Sequence, residues 1–126
     1  MVIVIDENDS RPIYQQIADE IRLLIARGEL RENEPLPSVR QMAGDLGVNL
    51  NTVATAYREL QADGLLSIKH GAGAVVASSR TVEKSEEILR KPLRSALAHL
   101  FLAGLSWAEV MNLVVDEMRA ILRETR

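Results

Sequence analysis

The stretch LPSVRQMAGDLGVNLNTVATAYRELQADGLL, residues 36–66, decides the fold. Its apolar residues recur at the spacing of amphipathic helices on either side of Gly47. The positions that this spacing predicts to be buried are Val39, Met42, Ala43 and Leu46 before the glycine, and Val53, Ala56, Tyr57 and Leu60 after it. Two short helices joined by a tight turn that contains glycine form a helix-turn-helix motif.

Polar residues predict where these two helices begin and end. Ser38 is predicted to cap the start of the first, with Gln41 three residues later as the other half of a capping box. Asn49 is predicted to cap the start of the second, the recognition helix, and the pair Asp63-Gly64 to end it.

The flanking sequence extends the motif in both directions. Pro12 suits the first turn of an earlier helix that Gly28 ends. Two strand-like runs, residues 65–69 and 74–77, follow the recognition helix and enclose a glycine-rich turn. A β-hairpin directly after a recognition helix is a wing, so we predict that residues 1–77 form a winged helix-turn-helix domain.

Residues 78–126 are predicted to be a short helical region of two amphipathic helices. A polar hinge, Ser78 to Thr81, precedes them. Pro92 predicts a kink or break near Lys91 in the first of these helices, because proline lacks an N–H. After a turn at Gly104, Ser106 and Glu109 predict a capping box for the second. The predicted fold class is mainly α with a small β wing (α+β).

Two amphipathic helices cannot bury their apolar stripes on each other alone, so a second copy of the chain is the natural cover. We therefore predict a homodimer. Its predicted interface consists of Leu93, Leu97, Leu100, Phe101, Val110, Leu113, Val114, Met118 and Ile121. The alternative is a monomer in which these helices pack back on the winged helix.

The composition argues against an enzyme. The chain of 126 residues has no cysteine and two histidines, so it offers no thiolate nucleophile, no disulfide framework and no histidine-built zinc site. No Ser and His pair lies in a glycine-rich setting. We predict no catalytic residues, no metal and no cofactor. His99, on an apolar helix, is predicted to be structural.

The chain shows no membrane or export signal. Its start lacks the basic segment and apolar run of a signal peptide, and no stretch approaches the about 20 apolar residues of a membrane span. We expect a cytoplasmic protein without a membrane partner. The net charge of −3 counts against nucleic acid as a partner, but phosphates respond to the local field, so a basic face on an acidic protein can still bind.

The outward face of the recognition helix suits double-stranded DNA. A recognition helix enters the major groove with its N-terminal end first. The residues predicted on that face or at its tip are Asn49, Leu50, Asn51, Thr52, Thr55 and Arg58. Asn pairs with adenine through two hydrogen bonds, and Thr or Leu offers apolar contact to a thymine methyl.

Further DNA contacts are predicted on both sides of that helix. Arg11, Ser38 and Arg40 are predicted to lie at backbone phosphates, which set register rather than sequence. Lys69, His70 and Gly71 lie at the wing tip, where glycine lets the backbone come close to the sugar–phosphate chain.

Structural alternatives stay open for several of these residues. Asn49 has a role as a helix cap whether or not it touches DNA, and the polar face of the recognition helix could simply be solvated. Arg40 could pair with Asp45, Arg58 lies next to Glu59, and His70 could be only a turn residue.

The residues taken together resemble the GntR family of bacterial regulators. The resemblance covers residues 10–77 and consists of PIYQQI, LPSVR, NLNTV, AYREL and the G-x-G wing in this order. It implies that Arg40 contacts phosphate or base, that residues 49–52 read bases, and that His70-Gly71 lines the minor groove. Some relatives have Arg at the positions of Leu50 and Ala54, so their operator sequences do not transfer to this chain.

The short C-terminal part is similar to that of the YtrA-like subgroup, whose small helical appendage mainly dimerises. The resemblance implies a homodimeric repressor that reads a palindromic operator, with the recognition helices in the major groove and the wings in the minor groove. The appendage offers little room for a pocket, so whether a small-molecule effector acts stays open. A winged helix that binds protein is the second hypothesis, and an enzyme is the third.

Overall fold

The computed structural model describes residues 1–69, 73–78 and 85–123, with Lys69 and Arg123 described by their backbone alone. The described elements are α1 (Ile13–Ala26), α2 (Val39–Leu46), α3 (Leu50–Ala62), β1 (Leu66–Lys69), β2 (Gly73–Val76), α4 (Glu86–Leu102) and α5 (Trp107–Arg123). They belong to two compact units, Met1–Arg80 and Thr81–Arg126. The fold class is mainly α with a small β wing, as predicted.

The core of the first unit is almost entirely aliphatic and lies between α1, α2, α3 and the wing. Its largest fully buried side chains are Tyr57, Ile17, Ile21, Leu60, Val53 and Val76. Burying one such aliphatic side chain is worth about 1.5–3 kcal/mol, so the apolar stripes set the positions of the three helices. The predicted buried positions of α3 are confirmed. The apolar residues Ile13, Ile17, Ile21, Leu24 and Ile25 recur along α1 at the spacing that predicts one buried stripe, and all are buried except Ile13, which is exposed.

Side-chain caps begin α2 and α3 at the predicted residues. The Ser38 hydroxyl accepts a hydrogen bond from the Gln41 N–H at 3.0 Å. The predicted reciprocal bond from the Gln41 side chain is absent from the described residues. The Asn49 side-chain oxygen accepts from the Asn51 N–H at 2.8 Å. Both caps satisfy backbone donors that the first turn of a helix leaves without partners.

Gly47 ends α2 and makes the sharp turn of the helix-turn-helix. Its φ of 67° lies in the left-handed region, which side chains with a Cβ rarely adopt. The next residue, Val48, donates its N–H to the carbonyl of Ala43 at 3.0 Å, which closes the end of the helix. The predicted helix ends at Gly28 and Gly64 and the predicted turn at Gly104 are also confirmed.

The wing contains one more strand-like segment than the sequence predicted. β1 and β2 pair antiparallel with Leu66 opposite Val76 and Lys69 opposite Gly73. Residues 33–37, which we call the strap, lie along the other edge of β2. Hydrogen bonds of 2.9 Å run from the Asn33 N–H to the Val76 carbonyl, from the Val76 N–H to Glu34, and from Leu36 to Ala74.

The second unit is described by α4 and α5, which contact each other. Of the kink or break predicted near Lys91, the break is wrong, because α4 continues through Pro92. Ser106 and Glu109 form both bonds of the predicted capping box, at 2.9 and 3.2 Å. The hydrogen bonds from Ser106 hold the pKa of the Glu109 carboxyl below its ordinary value. Among the described helices, none is long and apolar enough to span a bilayer.

Candidate nucleic-acid interface

The predicted reading face lies on the outer side of α3. Asn49, Leu50, Asn51 and Arg58 are exposed, while Thr52 and Thr55 are half-buried at the flanks of that face. The opposite side of the helix is packed into the core through its four buried residues, Val53, Ala56, Tyr57 and Leu60. The burial pattern therefore orients α3 with its polar face outward.

Asn51 and Thr52 have side chains that are free to bind another molecule. Neither side chain has a hydrogen-bond partner within residues 1–69, 73–78 and 85–123. Asn51 uses only its backbone, whose N–H is bound by the cap and whose carbonyl accepts from Thr55. An exposed, unpaired amide at the start of a helix has both a donor and an acceptor available for a base edge.

Thr55 and Arg58 are joined to each other. The Thr55 hydroxyl donates to the Asn51 carbonyl at 2.8 Å and accepts from Nη2 of Arg58 at 3.3 Å. The predicted alternative of a pair between Arg58 and Glu59 is not formed, because Glu59 binds another arginine. The hydroxyl of Thr55 therefore directs the Arg58 guanidinium along the outer face of α3.

Arg40 and Arg11 differ in whether their guanidinium groups are free to bind a phosphate. Arg40 is exposed and has no ion pair with any described residue, so the alternative of a pair with Asp45 is not formed. Arg11 binds Asp9 at 2.6 Å and Asp19 at 2.5 Å. Its hydrogen bonds hold the pKa of the Asp9 carboxyl below the ordinary value. Phosphate binding by Arg11 stays a prediction that this double pairing disfavours.

The wing residues are described in part. Lys69 is the last residue of β1, and its backbone pairs with Gly73. His70 and Gly71, predicted at the wing tip, lie outside the described residues, as do residues 79–81 of the predicted hinge.

Arg22 is a residue that sequence reasoning missed. It projects from α1 and binds Glu59 of α3 and Asp63, the residue that follows α3, with Nη2 at 3.1 Å from Glu59 and 2.7 Å from Asp63. Its Nη1 lies 2.9 Å from Asp19. Burial alone would lower the pKa of Arg22, but the hydrogen bonds to Asp63 and Glu59 outweigh it and the pKa is raised. The two acids at the C-terminal end of the recognition helix are thus paired with an arginine of α1.

Gln16 is a second residue whose structural role was not predicted from the sequence. It is the buried polar residue of α1, and its side chain bonds to the backbone of the N-terminal segment. The amide oxygen accepts from the Asp6 N–H at 2.9 Å, and the amide nitrogen donates to the carbonyls of Asp6 and Arg11 at 3.1 and 3.0 Å. Gln16 therefore fixes the segment that precedes α1.

Known proteins match this arrangement. The family model described as "Bacterial regulatory proteins, gntR family" matches residues 13–76, from the start of α1 to the end of β2. This chain belongs to the GntR family. The GntR model spans α1, α2, α3 and both wing strands, so the predicted recognition of the family is confirmed.

Relatives of this GntR chain are named as regulators. The transcriptional repressor YtrA of Bacillus subtilis is 32% identical over 106 residues, which are 82% of each chain. A solved structure of a transcriptional antiterminator from Listeria monocytogenes EGD-e is 29% identical, with a TM-score of 0.85 over 97% of this chain and 93% of that one. The DNA-binding domain of AraR, solved in complex with its operator ORX1, is 26% identical, with a TM-score of 0.54 over 61% of this chain and 96% of that one.

The chain is thus a DNA-binding transcriptional regulator of the GntR family, as the sequence predicted, and not an enzyme.

Proposed function

We propose that this GntR regulator is a homodimeric repressor that reads a palindromic operator. α3 enters the major groove and the wing reaches the minor groove. The observation that carries the proposal is the outer face of α3, where Asn51 and Thr52 present unpaired polar side chains beside the exposed Leu50. Residues of these types read base edges by hydrogen bonds and by contact with the thymine methyl.

The charge distribution supports this use of an acidic chain. Arg22 of α1 binds Glu59 and Asp63, so these two acids at the C-terminal end of α3 are neutralised by an ion pair. Arg40 and Arg58 are exposed and carry no carboxylate partner within the described residues. The local field at the reading face is therefore more positive than the net charge of −3 implies.

The exposed apolar surface of the second unit supports a dimer. Trp107, Met111, Met118 and Leu122 are 74, 45, 54 and 57% exposed, and their spacings place them on one side of α5. Of the predicted interface residues, Leu93, Phe101, Leu113 and Met118 are exposed and Leu97, Leu100, Val114 and Ile121 are half-buried.

Val110 differs from the other eight predicted interface residues. It is only 3% exposed within its own chain, which counts against its direct contact with a second copy. The exposed apolar surface formed by the other residues is of the kind that marks an interaction site. A twofold dimer would place one recognition helix at each of the two half-sites of a palindrome.

A selection from randomised duplexes tests the sequence reading. We expect the purified protein to enrich a palindrome, and Asn51→Ala to relax one position and cost about 1–3 kcal/mol on the best site. Gln61→Ala removes an exposed amide from the last turn of the same helix and is the matched control. A failure to enrich any duplex at low salt, or the same profile for Asn51→Ala, would refute reading by this face.

A salt titration tests the phosphate contact. We expect Arg40→Ala to weaken binding to all duplexes and to reduce the salt slope by about 1. Arg90→Ala removes the same charge from an arginine that binds Glu86 in the second unit, and it should leave the slope unchanged. An unchanged slope for Arg40→Ala would exclude this contact.

Repression by occlusion of polymerase is the regulatory part of the proposal. A reporter gene that carries the selected palindrome in its promoter should lose expression when the protein is present, and Asn51→Ala should restore it. Increased expression with the wild-type protein would indicate an activator. A cytoplasmic location stays a prediction.

A further inference from the structure

The strap, residues 33–37, connects the wing to the start of α2. Its first residues pair with β2 through the hydrogen bonds between Asn33 and Val76 and between Leu36 and Ala74, each 2.9 Å long. Its last residue, Pro37, precedes Ser38, the N-cap of α2. The strap is thus one continuous link between the wing and the helix that carries Arg40.

The end of the strap is held by the recognition helix. The hydroxyl of Tyr57, in the middle of α3, donates to the Pro37 carbonyl at 2.6 Å. The same hydroxyl lies 3.7 Å from the sulfur of Met42 on α2. Tyr57 is only 1% exposed, so its side chain is shielded from water. A single hydroxyl therefore joins α3 to the point at which the strap ends and α2 begins.

The strap is stiff enough to transmit a constraint along its length. Pro35 and Pro37 have ring-fixed φ angles, and a residue that precedes proline is restricted to extended conformations. Leu36, between the two prolines, is buried in the core. A displacement of Pro37 is therefore passed along the strap toward its pairing with β2.

We propose that Tyr57 is a positioning residue for DNA binding, whose hydroxyl holds α3, the start of α2 and the wing in one arrangement. This inference rests on the proposed function, in which these three elements contact DNA together. A protein whose competent arrangement is only partly populated binds more weakly in proportion to that population. The hydroxyl keeps the competent arrangement dominant before DNA arrives.

Tyr57→Phe is the direct test, because it keeps the ring in the core and removes only the donor to Pro37. One net hydrogen bond shifts the equilibrium between the two arrangements about five-fold. Because the affinity follows the population of the competent arrangement, which is dominant in the wild type, we expect the affinity for the duplex selected with the wild-type protein to fall about two- to three-fold. The salt slope should stay unchanged, since no phosphate contact is lost. Amide hydrogen exchange at Asn33 and Leu36 should accelerate. Their N–H groups bond to β2, and without the Tyr57 hydroxyl the strap is no longer anchored at Pro37.

Ile17→Val is the matched control. It removes one methyl group from a fully buried position of α1 and causes a comparable loss of stability without touching the hydroxyl. We expect Ile17→Val to retain the wild-type affinity and strap exchange under conditions in which all three proteins are folded. An equal loss of affinity in the control would mean that Tyr57 acts through stability alone and would overturn the proposal.

Two further outcomes separate this inference from the proposed function. Wild-type affinity and wild-type strap exchange in Tyr57→Phe would overturn the positioning role while leaving the DNA-binding proposal intact. If the wild-type protein selects no duplex, the proposed function fails and a DNA-positioning role for Tyr57 fails with it. Exchange at Asn33 and Leu36 would then still report whether the hydroxyl holds the strap.

Discussion

Arg22 and Asp63 are 41 residues apart in the chain, and their side chains meet at 2.7 Å between Nη2 and Oδ2. This pair ties the middle of α1 to the residue that follows α3, and Glu59 joins it from the preceding turn. The apolar stripes bring the two helices together. The ion pairs with Arg22 then hold the carboxylates of Glu59 and Asp63 on the side of α3 that faces α1.

Arg22→Met should weaken the folded state by roughly 1 kcal/mol, since the three carboxylates around it lose a shared partner while the apolar stem is replaced. Arg22→Lys keeps the charge and should recover part of the loss. Urea denaturation at low and high salt measures both. Because salt screens these partly exposed charges, the difference between wild type and Arg22→Met should shrink at 1 M salt. A salt-independent difference would assign the effect to packing instead.

Gly47→Ala should destabilise the fold by about 1–2 kcal/mol, because a Cβ is strained at a φ of 67°. A Cβ at Gly47 meets no atom within 4 Å, so the cost is one of backbone conformation alone. Gly44 is the matched control, since it lies within α2 and its Cβ also meets nothing within 4 Å. Gly44→Ala should stabilise by up to about 1 kcal/mol through helix propensity. Equal effects in thermal denaturation would contradict this explanation.

The stability of the first unit should depend on alkaline pH through Tyr57. Burial raises the pKa of its phenol to about 12, whereas an unfolded tyrosine titrates near about 10. The unfolded state therefore releases its proton first as the pH rises. The stabilisation is complete below about pH 10 and is lost between about pH 10 and 12.

Tyr57→Phe should lack this component, so its free energy of unfolding should fall less steeply than that of the wild type over the same pH range. Urea denaturation at a series of pH values gives both curves. Tyr14 is common to both proteins and cancels in the comparison. Parallel curves would show that Tyr57 does not keep its proton in the folded state.

Met118→Glu should dissociate the proposed dimer, because it places a charge on the exposed apolar side of α5. Asn112→Glu adds the same charge at an exposed polar position of the same helix and should leave the dimer intact. Sedimentation measures the mass of each variant. Trp107 is the single tryptophan of the chain and is 74% exposed, so its emission should shift to the blue as the wild-type concentration rises. A wild-type protein that stays monomeric, with emission independent of concentration, would refute the dimer.

The fold of residues 36–66 could be predicted because its signals are local. Apolar spacing, the caps at Ser38 and Asn49 and the glycine at position 47 each act within one or two turns of helix. The same is true of the outer face of α3, which follows once the buried positions are known. These local signals gave the elements and the reading face, but not the contacts between distant segments.

The contacts that sequence reasoning missed are long-range or compete with one another. The strap has two prolines and no alternation of apolar and polar residues, so its sequence does not predict pairing with a strand some forty residues later. Arg11 is predicted from the sequence to lie at a backbone phosphate, whereas the fold places Asp9 and Asp19 beside it. Pro92 removes one hydrogen bond from α4, but Ile88 and Pro92 are both exposed, so water can serve the carbonyl and the helix continues.

The pairing of the strap with β2 also limits how this wing can be exchanged between regulators. A hairpin of residues 66–76 transplanted alone would leave the N–H of Val76 and the carbonyl of Ala74 without the partners that Glu34 and Leu36 provide. The transferable module is therefore discontinuous and includes the connection between α1 and α2. Chimaeras that join wings from different family members should take both segments from the same parent.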